Sequence, residues 1–487
     1  MTIPQLDPPM KRIPAWLVCL LVVTITQATI AAPIQHSTLP NDNPDMTLSH
    51  FAFGSCCRQH NPQKHWAPII ENEPQLWLWL GDNIYGDTED MTVLNKRYSL
   101  LGNTPGYQQL AARYPVLATW DDHDYGRNDA GNDYVKRVES QKVFLDFFNE
   151  RADSPRRKRP GIYTSYYFGK GDQRVQLILL DTRYFRTPLK RIQGQPAYRR
   201  MGKWIPDPSP TATLLGDAQW QWLEEELRQP ARLRIIGTSI QFAAPHNGYE
   251  TWANIPREHQ RMIELIKKTR AEGVVFLSGD IHSSELCINE PEDCYPLIDY
   301  TSSSLNAPLG AAATHRRTGP GFGGANFGIV DIDWSAADPT VSFSTKDTAN
   351  QTRLHHSVPL SRLTFHETNL SRHTTPADFL GEWQTFYGPL TLTRLSAGQW
   401  EGECADRTLK LAEGQSGPSG MVGLVGTWRG EKQHGKVTFS LSRDGKFLHG
   451  AYSYDDLPLQ LDWAGWKPGW EQHFKRDDYH LRKKKPK

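Results

Sequence analysis

Residues 76–87 read LWLWLGDNIYGD. Five apolar residues run without a break into Gly81 and Asp82, and Tyr85 follows three places after the aspartate. An apolar run of this length that ends in turn residues reads as a strand buried on both faces. Its sudden change to groups that bind protons or metals places chemistry at the carboxyl end of that strand.

The same ending recurs along the chain. FAFGSC (51–56), PVLATWDDHD (115–124), VQLILLDTR (175–183) and GVVFLSGDIH (273–282) each set a short apolar run before polar, ligand-type residues. Helical patterns are expected between them at 134–151, 217–228 and 259–272. One aspartate after a strand is ordinarily a turn or cap residue. The ending repeated with Cys, Tyr, His and Arg beside it is a constellation. The alternation predicts an α/β layered domain over residues 49–360, a sheet core flanked by helices, with strand ends and site residues collected along one sheet edge.

The 487 residues are 38% hydrophobic and 22% charged, which fits a globular protein of more than one domain. Formal net charge is +1, so no overall field points to nucleic acid as a partner. The basic end RKKKPK, within residues 471–487, reads as a solvated tail. Lys11 and Arg12, the run WLVCLLVVTIT at 16–26 and the small residues Ala28, Ala31 and Ala32 read as a signal peptide over 1–32, followed by a short linker at 33–48. Export to a periplasmic or extracellular space is the expectation. An uncleaved signal anchor is the alternative and the one route to a membrane, because the run approaches the roughly 18 residues of a span. Five cysteines remain beyond this segment, and the short INEPED spacing predicts a Cys287–Cys294 disulfide in an oxidising compartment.

After residue 360 the composition changes. Residues 361–376 are polar and contain proline, as a linker would, and 377–470 are rich in glycine, tryptophan and alternating strands. GEWQTFYGPLTLTRLSAGQWEG (381–402) and GTWRGEKQHGKVTFSLSRDGKFLHG (426–450) share a GxW start, an alternating strand, a glycine turn and a later aromatic. They predict a small antiparallel β domain of two GxW copies, with a hairpin turn at Asp444 and Gly445 and its tryptophans in the core.

The inventory at the strand ends is Cys56, Asp82, Tyr85, Asp121, Asp122, His123, Asp124, Asn128, Asp280 and His282. Carboxylates cannot crowd at neutral pH without raised pKa values or bound cations, so the economical reading is a site with more than one metal. Thiolate and phenolate suit a ferric-type centre, whereas carboxylate and amide oxygens suit calcium, manganese or magnesium. Paired metals clamp the attacking and leaving oxygens of a displacement at phosphorus.

FGSC, GDNIYGD, WDDHDYGRND, LLDTR and SGDIH, in this order, resemble the alkaline phosphatase D (PhoD-like) family, relatives of the calcineurin-like and purple acid metallophosphoesterases, over residues 49–334. The resemblance implies a calcineurin-like metallophosphoesterase core and hydrolysis of phosphate ester substrates outside the cytoplasm on an iron (Fe3+) and calcium site, with manganese or magnesium as alternatives. It implies Cys56 and Tyr85 as iron ligands and Asp82 as the bridge. Asp121, Asn128, Asp280 and His282 would complete the metal shells. Cys56 is preferred to Cys57 because it stands in register with the motif. Asp122 or His123 would orient a ligand or protonate the leaving group, unless both only shape the turn. Arg183 would clamp a phosphate oxygen or pair locally with Asp181. His246, after LRIIGTSIQF, would bind metal or substrate or be an ordinary loop histidine. The twin-arginine signal used for export in much of the family is absent. The rival readings are a phospholipase D-like lipid phosphodiesterase and a non-catalytic metal-binding surface protein; ligands intact at every motif argue against the latter.

Overall fold

Leu76, Leu78 and Leu80 join one hydrophobic core while Trp77 and Trp79 join another. The alternation in LWLWL is thus a strand with both faces buried, leucines one way and indoles the other. The computed structural model describes residues 42–194, 202–246, 248–310, 317–370, 374–385, 387–416, 421–455, 461–463 and 465–467. The expected signal peptide, the start of the linker after it and the basic tail lie outside these residues, and no helix among them is long and apolar enough to cross a membrane.

Thirteen strands build the first domain among the described residues: β1 (Asp42–Asn43), β2 (His50–Gly54), β3 (Trp77–Leu80), β4 (Val116–Thr119), β5 (Thr164–Phe168), β6 (Val175–Leu179), β7 (Leu233–Thr238), β8 (Val274–Ser278), β9 (Ser284–Asn289), β10 (Leu297–Ser302), β11 (Asn326–Asp333), β12 (Thr340–Asp347) and β13 (Thr352–Pro359). They form two mixed sheets, ordered β1-β5-β6-β7-β8-β10-β9 and β13-β12-β11-β2-β3-β4. The expectation of one sheet edge is corrected here. The motif strands divide between the sheets, β2, β3 and β4 in one and β6, β7 and β8 in the other, and pair in parallel within each. Two sheets result because each strand set buries an apolar face that only the other covers. Phe51, Phe53, Leu78 and Leu80 share a core with Leu177, Ile235 and Phe276, and a Cβ at Gly237 would meet Leu80 at 3.0 Å.

Helices cover the outer faces. Met91–Gly102, Pro105–Arg113 and Arg137–Phe147 pack against the tryptophan side of β3, and Gly216–Leu227 and Pro256–Thr269 add Trp220, Leu223, Met262 and Ile266 to the other core. The last helix starts three residues before its expected boundary because Pro256 sits in its first turn, where a missing N–H costs nothing. It ends at Arg270, which turns left-handed at φ 54°.

Among the described residues from 381 to 466, nine strands form a second domain as one all-antiparallel sheet, the third of the chain: β14 (Gly381–Thr385), β15 (Gly388–Ser396), β16 (Gln399–Cys404), β17 (Arg407–Ser416), β18 (Met421–Arg429), β19 (His434–Leu441), β20 (Phe447–Tyr452), β21 (Leu461–Asp462) and β22 (Gly465–Trp466). Its order is β19-β18-β17-β16-β15-β14-β22-β20-β21, and β20 also pairs with β19, which nearly closes the sheet on itself. Closure removes the exposed edges of an open sheet. Trp383, Trp400, Trp428 and Trp463 fill the interior. The two GxW copies occupy different places: Gly381 opens β14, whereas Gly426 lies within β18, five residues after its start. The hairpin at Asp444 is wider than two residues and runs from Ser442 to Lys446, with Gly445 at φ 69°.

The segment expected as a linker is partly built into the first domain, since Leu363 and Phe365 enter its core. The hairpin tip then reaches back. Arg443 is buried, its backbone N–H donates to both carboxylate oxygens of Glu290 at 2.9 Å, and its guanidinium donates to the carbonyls of Pro291 and Cys294 at 2.9 Å each and of Asn369. Arg443→Ala strips donors from buried carbonyls and is expected to weaken this docking by about 3 kcal/mol. Faster proteolytic cleavage between residues 361 and 376, with hydrolysis unchanged, is the outcome to measure. The expected Cys287–Cys294 disulfide is also corrected: the two buried thiols are not joined to each other. Cys287 lies within β9 with its Sγ toward Glu285, and Cys294 belongs to the loop that receives Arg443.

Candidate metal centre

The strand ends of both sheets converge, and close approach dictates their glycines. A Cβ at Gly81, after β3, would stand 2.4 Å from the Cβ of Asp121, after β4. At Gly279, after β8, it would meet the Oγ of Ser55 at 2.6 Å and the carbonyl oxygen of Leu80 at 2.8 Å, across the two sheets. The residue following each glycine is a candidate ligand. Cys56, Asp82, Asp280 and His282 all adopt positive φ, between 49° and 68°. Such conformations cost about 1 kcal/mol or more for non-glycine residues and gather where geometry serves function.

Asp82 stands in the middle. Its Oδ2 accepts from the Tyr85 hydroxyl at 3.1 Å and from the Cys56 thiol at 3.4 Å, and its Oδ1 accepts from the backbone N–H of His123 at 3.4 Å. The Tyr85 hydroxyl is also 3.1 Å from His282 Nε2, and His282 Nδ1 meets the carbonyl of Ala307. The other imidazole nitrogen is thereby left for the site. Donor atoms of Cys56, Asp82 and His282 lie within 4.8 Å of one another, as do those of Asp82, Asp121, Asp122 and Asp280, and those of Asp82, Asp122 and His123. Asp82 is common to these three groups, and a fourth, of Asp122, Asp129 and Glu250, excludes it.

Behind this cluster, Asp124 fixes the turn. Its carboxylate accepts from the backbone N–H groups of Asp82 at 3.1 Å and Asp121 at 2.7 Å, from Asn83 Nδ2 at 2.6 Å and from the Tyr98 hydroxyl at 3.3 Å. One buried group therefore holds the ends of β3 and β4 together. Asp121 Oδ1 takes Arg183 Nε and Ser239 Oγ at 2.5 Å each, while its Oδ2 is buried with no hydrogen-bond partner. Asp122 accepts from the backbone N–H groups of His123 at 2.8 Å and Asp129 at 2.7 Å.

The electrostatics follow from burial. Asp82 and Asp280 are held well above the usual carboxylate range, first by desolvation and then by neighbouring carboxylates, with His123 opposing at Asp82 and Arg183 at Asp280. Desolvation lifts Asp121 to about 6 against the pull of Arg183. Burial, with Asp82 beside it, also pushes the Cys56 thiol up. For Asp122, burial is outweighed by His123 and Arg183, and its pKa falls below the ordinary value. Burial likewise opposes the charge on His123, yet Asp82, Asp122 and Asp87 raise it to about 11. Acids packed this way reject their own charges unless a cation shares the space. The unpartnered Asp121 Oδ2 and a mixed thiol, phenol, imidazole and carboxylate donor set fit metal ions.

Not every expected residue joins the cluster. Asn128 is exposed and its backbone N–H donates to Asp87 at 3.1 Å; no hydrogen bond involves its side chain among the described residues. His246 Nε2 lies 2.8 Å from the carbonyl oxygen of Trp204, and the ring belongs to none of the donor groups. Cys57 points toward Gln63 and His65, at 3.4 and 3.9 Å, away from Asp82. The Arg183 side chain is wholly buried, pairs with Asp121 at 2.5 Å and Glu250 at 2.8 Å, and takes Asp181 only through its backbone N–H. Neither a substrate clamp nor a local pair with Asp181 describes that geometry. Sequence reading passed over Glu250, Ser239, Ser303 and Arg58. Ser303 Oγ, after β10, is 3.0 Å from Cys56 Sγ and accepts the N–H of His282 at 3.1 Å. The apolar run before Ser303 was the available signal, but its serines resemble any loop.

The PhoD-like phosphatase family model matches residues 51–309. Alkaline phosphatase D of Bacillus subtilis (strain 168) is 23% identical over 287 residues, 51% of this chain and 48% of that protein. The match therefore spans about half the length of that relative. A solved structure of PhoD superposes with a TM-score of 0.53 at 18% identity, covering 67% of this chain and 72% of the other, a likeness of fold.

Proposed function

The chain belongs to the PhoD-like phosphatase family, and from that premise we propose that it is an exported, metal-dependent phosphoesterase that hydrolyses phosphate monoesters and diesters. The observation that carries the reading is the Asp82 carboxylate, shared between a Cys56–His282 group and an Asp121–Asp122–Asp280 group. Cys56, Tyr85 and His282 would hold iron on one side, with calcium, or manganese or magnesium, held by Asp121 and Asp280 on the other. When bound, such paired cations supply Lewis acidity toward phosphoryl oxygens and lower the proton affinity of water.

The protein's own part is placement and proton supply. Asp124 keeps the two strand ends in register, and Arg183 holds Asp121 from behind. His123 Nδ1 is held by both Asp87 oxygens at 2.8 Å, and its ring lies against Tyr85 with centroids 4.1 Å apart. Nε2 is then the nitrogen left to act. As a water oxygen bonds to phosphorus and gives up its proton to solvent, the ester P–O bond breaks, the departing alkoxide takes the Nε2 proton, and the neutral imidazole regains one from solvent.

Elemental analysis of the purified full chain, alongside turnover of 4-nitrophenyl phosphate, bis(4-nitrophenyl) phosphate and a phospholipid, tests the reading. Hydrolysis of the soluble esters with metal bound is expected; turnover of phospholipid alone would move the function to a lipid diesterase. Iron at Cys56 has a separate check. Cys56→Ser is expected to lower bound iron and bleach visible thiolate charge-transfer absorption, while Cys57→Ser, facing Gln63 and His65, leaves both unchanged. The reverse outcome shifts the ligand by one residue.

A further inference from the structure

A phosphate ester is an anion, and the cluster it must approach is lined with carboxylates. Some cation at the rim has to meet it. Arg183 and Arg186 are wholly buried. Arg127 is paired with Asp133 at 3.0 Å and Lys203 with Asp129 at 2.6 Å. Arg58, two residues after Cys56, is exposed, and among the described residues its guanidinium makes no ion pair or hydrogen bond. It lies over the ring of Tyr85 with Cζ 4.1 Å from the centroid, and the hydroxyl of that ring touches Asp82 and His282.

The placement is built rather than incidental. The Arg58 backbone N–H donates to Asn306 Oδ1 at 2.7 Å, and its carbonyl accepts from Asn306 Nδ2 and Gln63 Nε2 at 3.0 Å each. The next residue, Gln59, exchanges two bonds with the Tyr85 backbone, at 2.9 and 3.0 Å. A guanidinium over a ring engages through its face, and its N–H donors, which lie in its plane, stay free for a bidentate contact with two phosphoryl oxygens.

We propose that Arg58, and not the buried Arg183, binds the phosphoryl oxygens of the substrate, a role that rests on the phosphoesterase reading above. Its charge favours the terminal, doubly charged phosphoryl group of a monoester over the singly charged diester. In the metal-loaded full chain, Arg58→Ala is expected to raise KM for 4-nitrophenyl phosphate and the inhibition constant of inorganic phosphate together, by about 10- to 100-fold, with a smaller change in kcat. Arg58→Lys should fall between, and KM for bis(4-nitrophenyl) phosphate should move less. Unchanged KM and phosphate inhibition at wild-type metal content would overturn the proposal. So would a fall in kcat with phosphate inhibition unmoved, which would make Arg58 a support for Tyr85. A wild-type protein that turns over no phosphate ester overturns the phosphoesterase reading itself. Calorimetric titration of both proteins with inorganic phosphate still reads Arg58 in that case, and equal affinities count against it.

Discussion

Asp82→Asn is expected to reduce hydrolysis by more than about 100-fold, at least the usual cost of losing a single electrostatic group, while the fold is retained. The carboxylate is common to three of the four donor groups, and its two oxygens face different neighbours: Cys56 and Tyr85 on one side, His123 on the other. An amide of the same shape fills the space but carries no charge to hold two cations. A second readout follows from the same burial. Asp82 resists ionisation in the metal-free chain, chiefly through desolvation, so a neutral amide there should leave metal-free thermal stability equal or higher. What disappears is the rise in melting temperature on adding metal, because that rise measures binding to the native state alone. Near-normal turnover at full metal content would remove Asp82 from the bridging position.

Arg183→Met should produce the largest loss of stability. Removing the guanidinium leaves buried Asp121 without its counter-charge and buried Glu250 with Arg186 alone, at 3.0 Å. Breaking one partner out of a buried ion network costs about 3–5 kcal/mol, because the remaining charge is neither solvated nor paired. In a chain of this size that corresponds to a fall in melting temperature of about 3–5 °C. A folded variant with unchanged melting temperature and a raised KM would place Arg183 against substrate after all. Glu250, raised to about 8 by burial despite two arginines, is the group whose protonation softens the loss.

The two variants probe residues whose sequence signals differed in quality. Asp82 was legible because glycine, aspartate and a strand of alternating leucine and tryptophan stand within a few places of one another. Arg183 looked like a substrate clamp because LLDTR shows a fork-shaped cation at a strand end and nothing of what lies behind it. The partners that decide its role are 62 residues earlier, at Asp121, and 67 later, at Glu250. Arg58 had no signal, since an arginine after two cysteines is unremarkable until Tyr85 is seen beneath it.

The sequence by itself determined the motif strands, their buried faces and the residues at their ends. Side-chain alternation acts over two residues and turn chemistry over four, so both are written locally. LWLWL had to be a strand buried on both faces, with a turn at Gly81 and Asp82 after it. Only the tertiary structure decided that the motif strands belong to two sheets, that Cys56 and not Cys57 faces Asp82, and that Arg443 docks the second domain onto the first. These depend on which distant apolar faces cover each other. The contact between Cys56 and Ser303, 247 residues apart, exists because two sheets bury one core and bring their strand ends together.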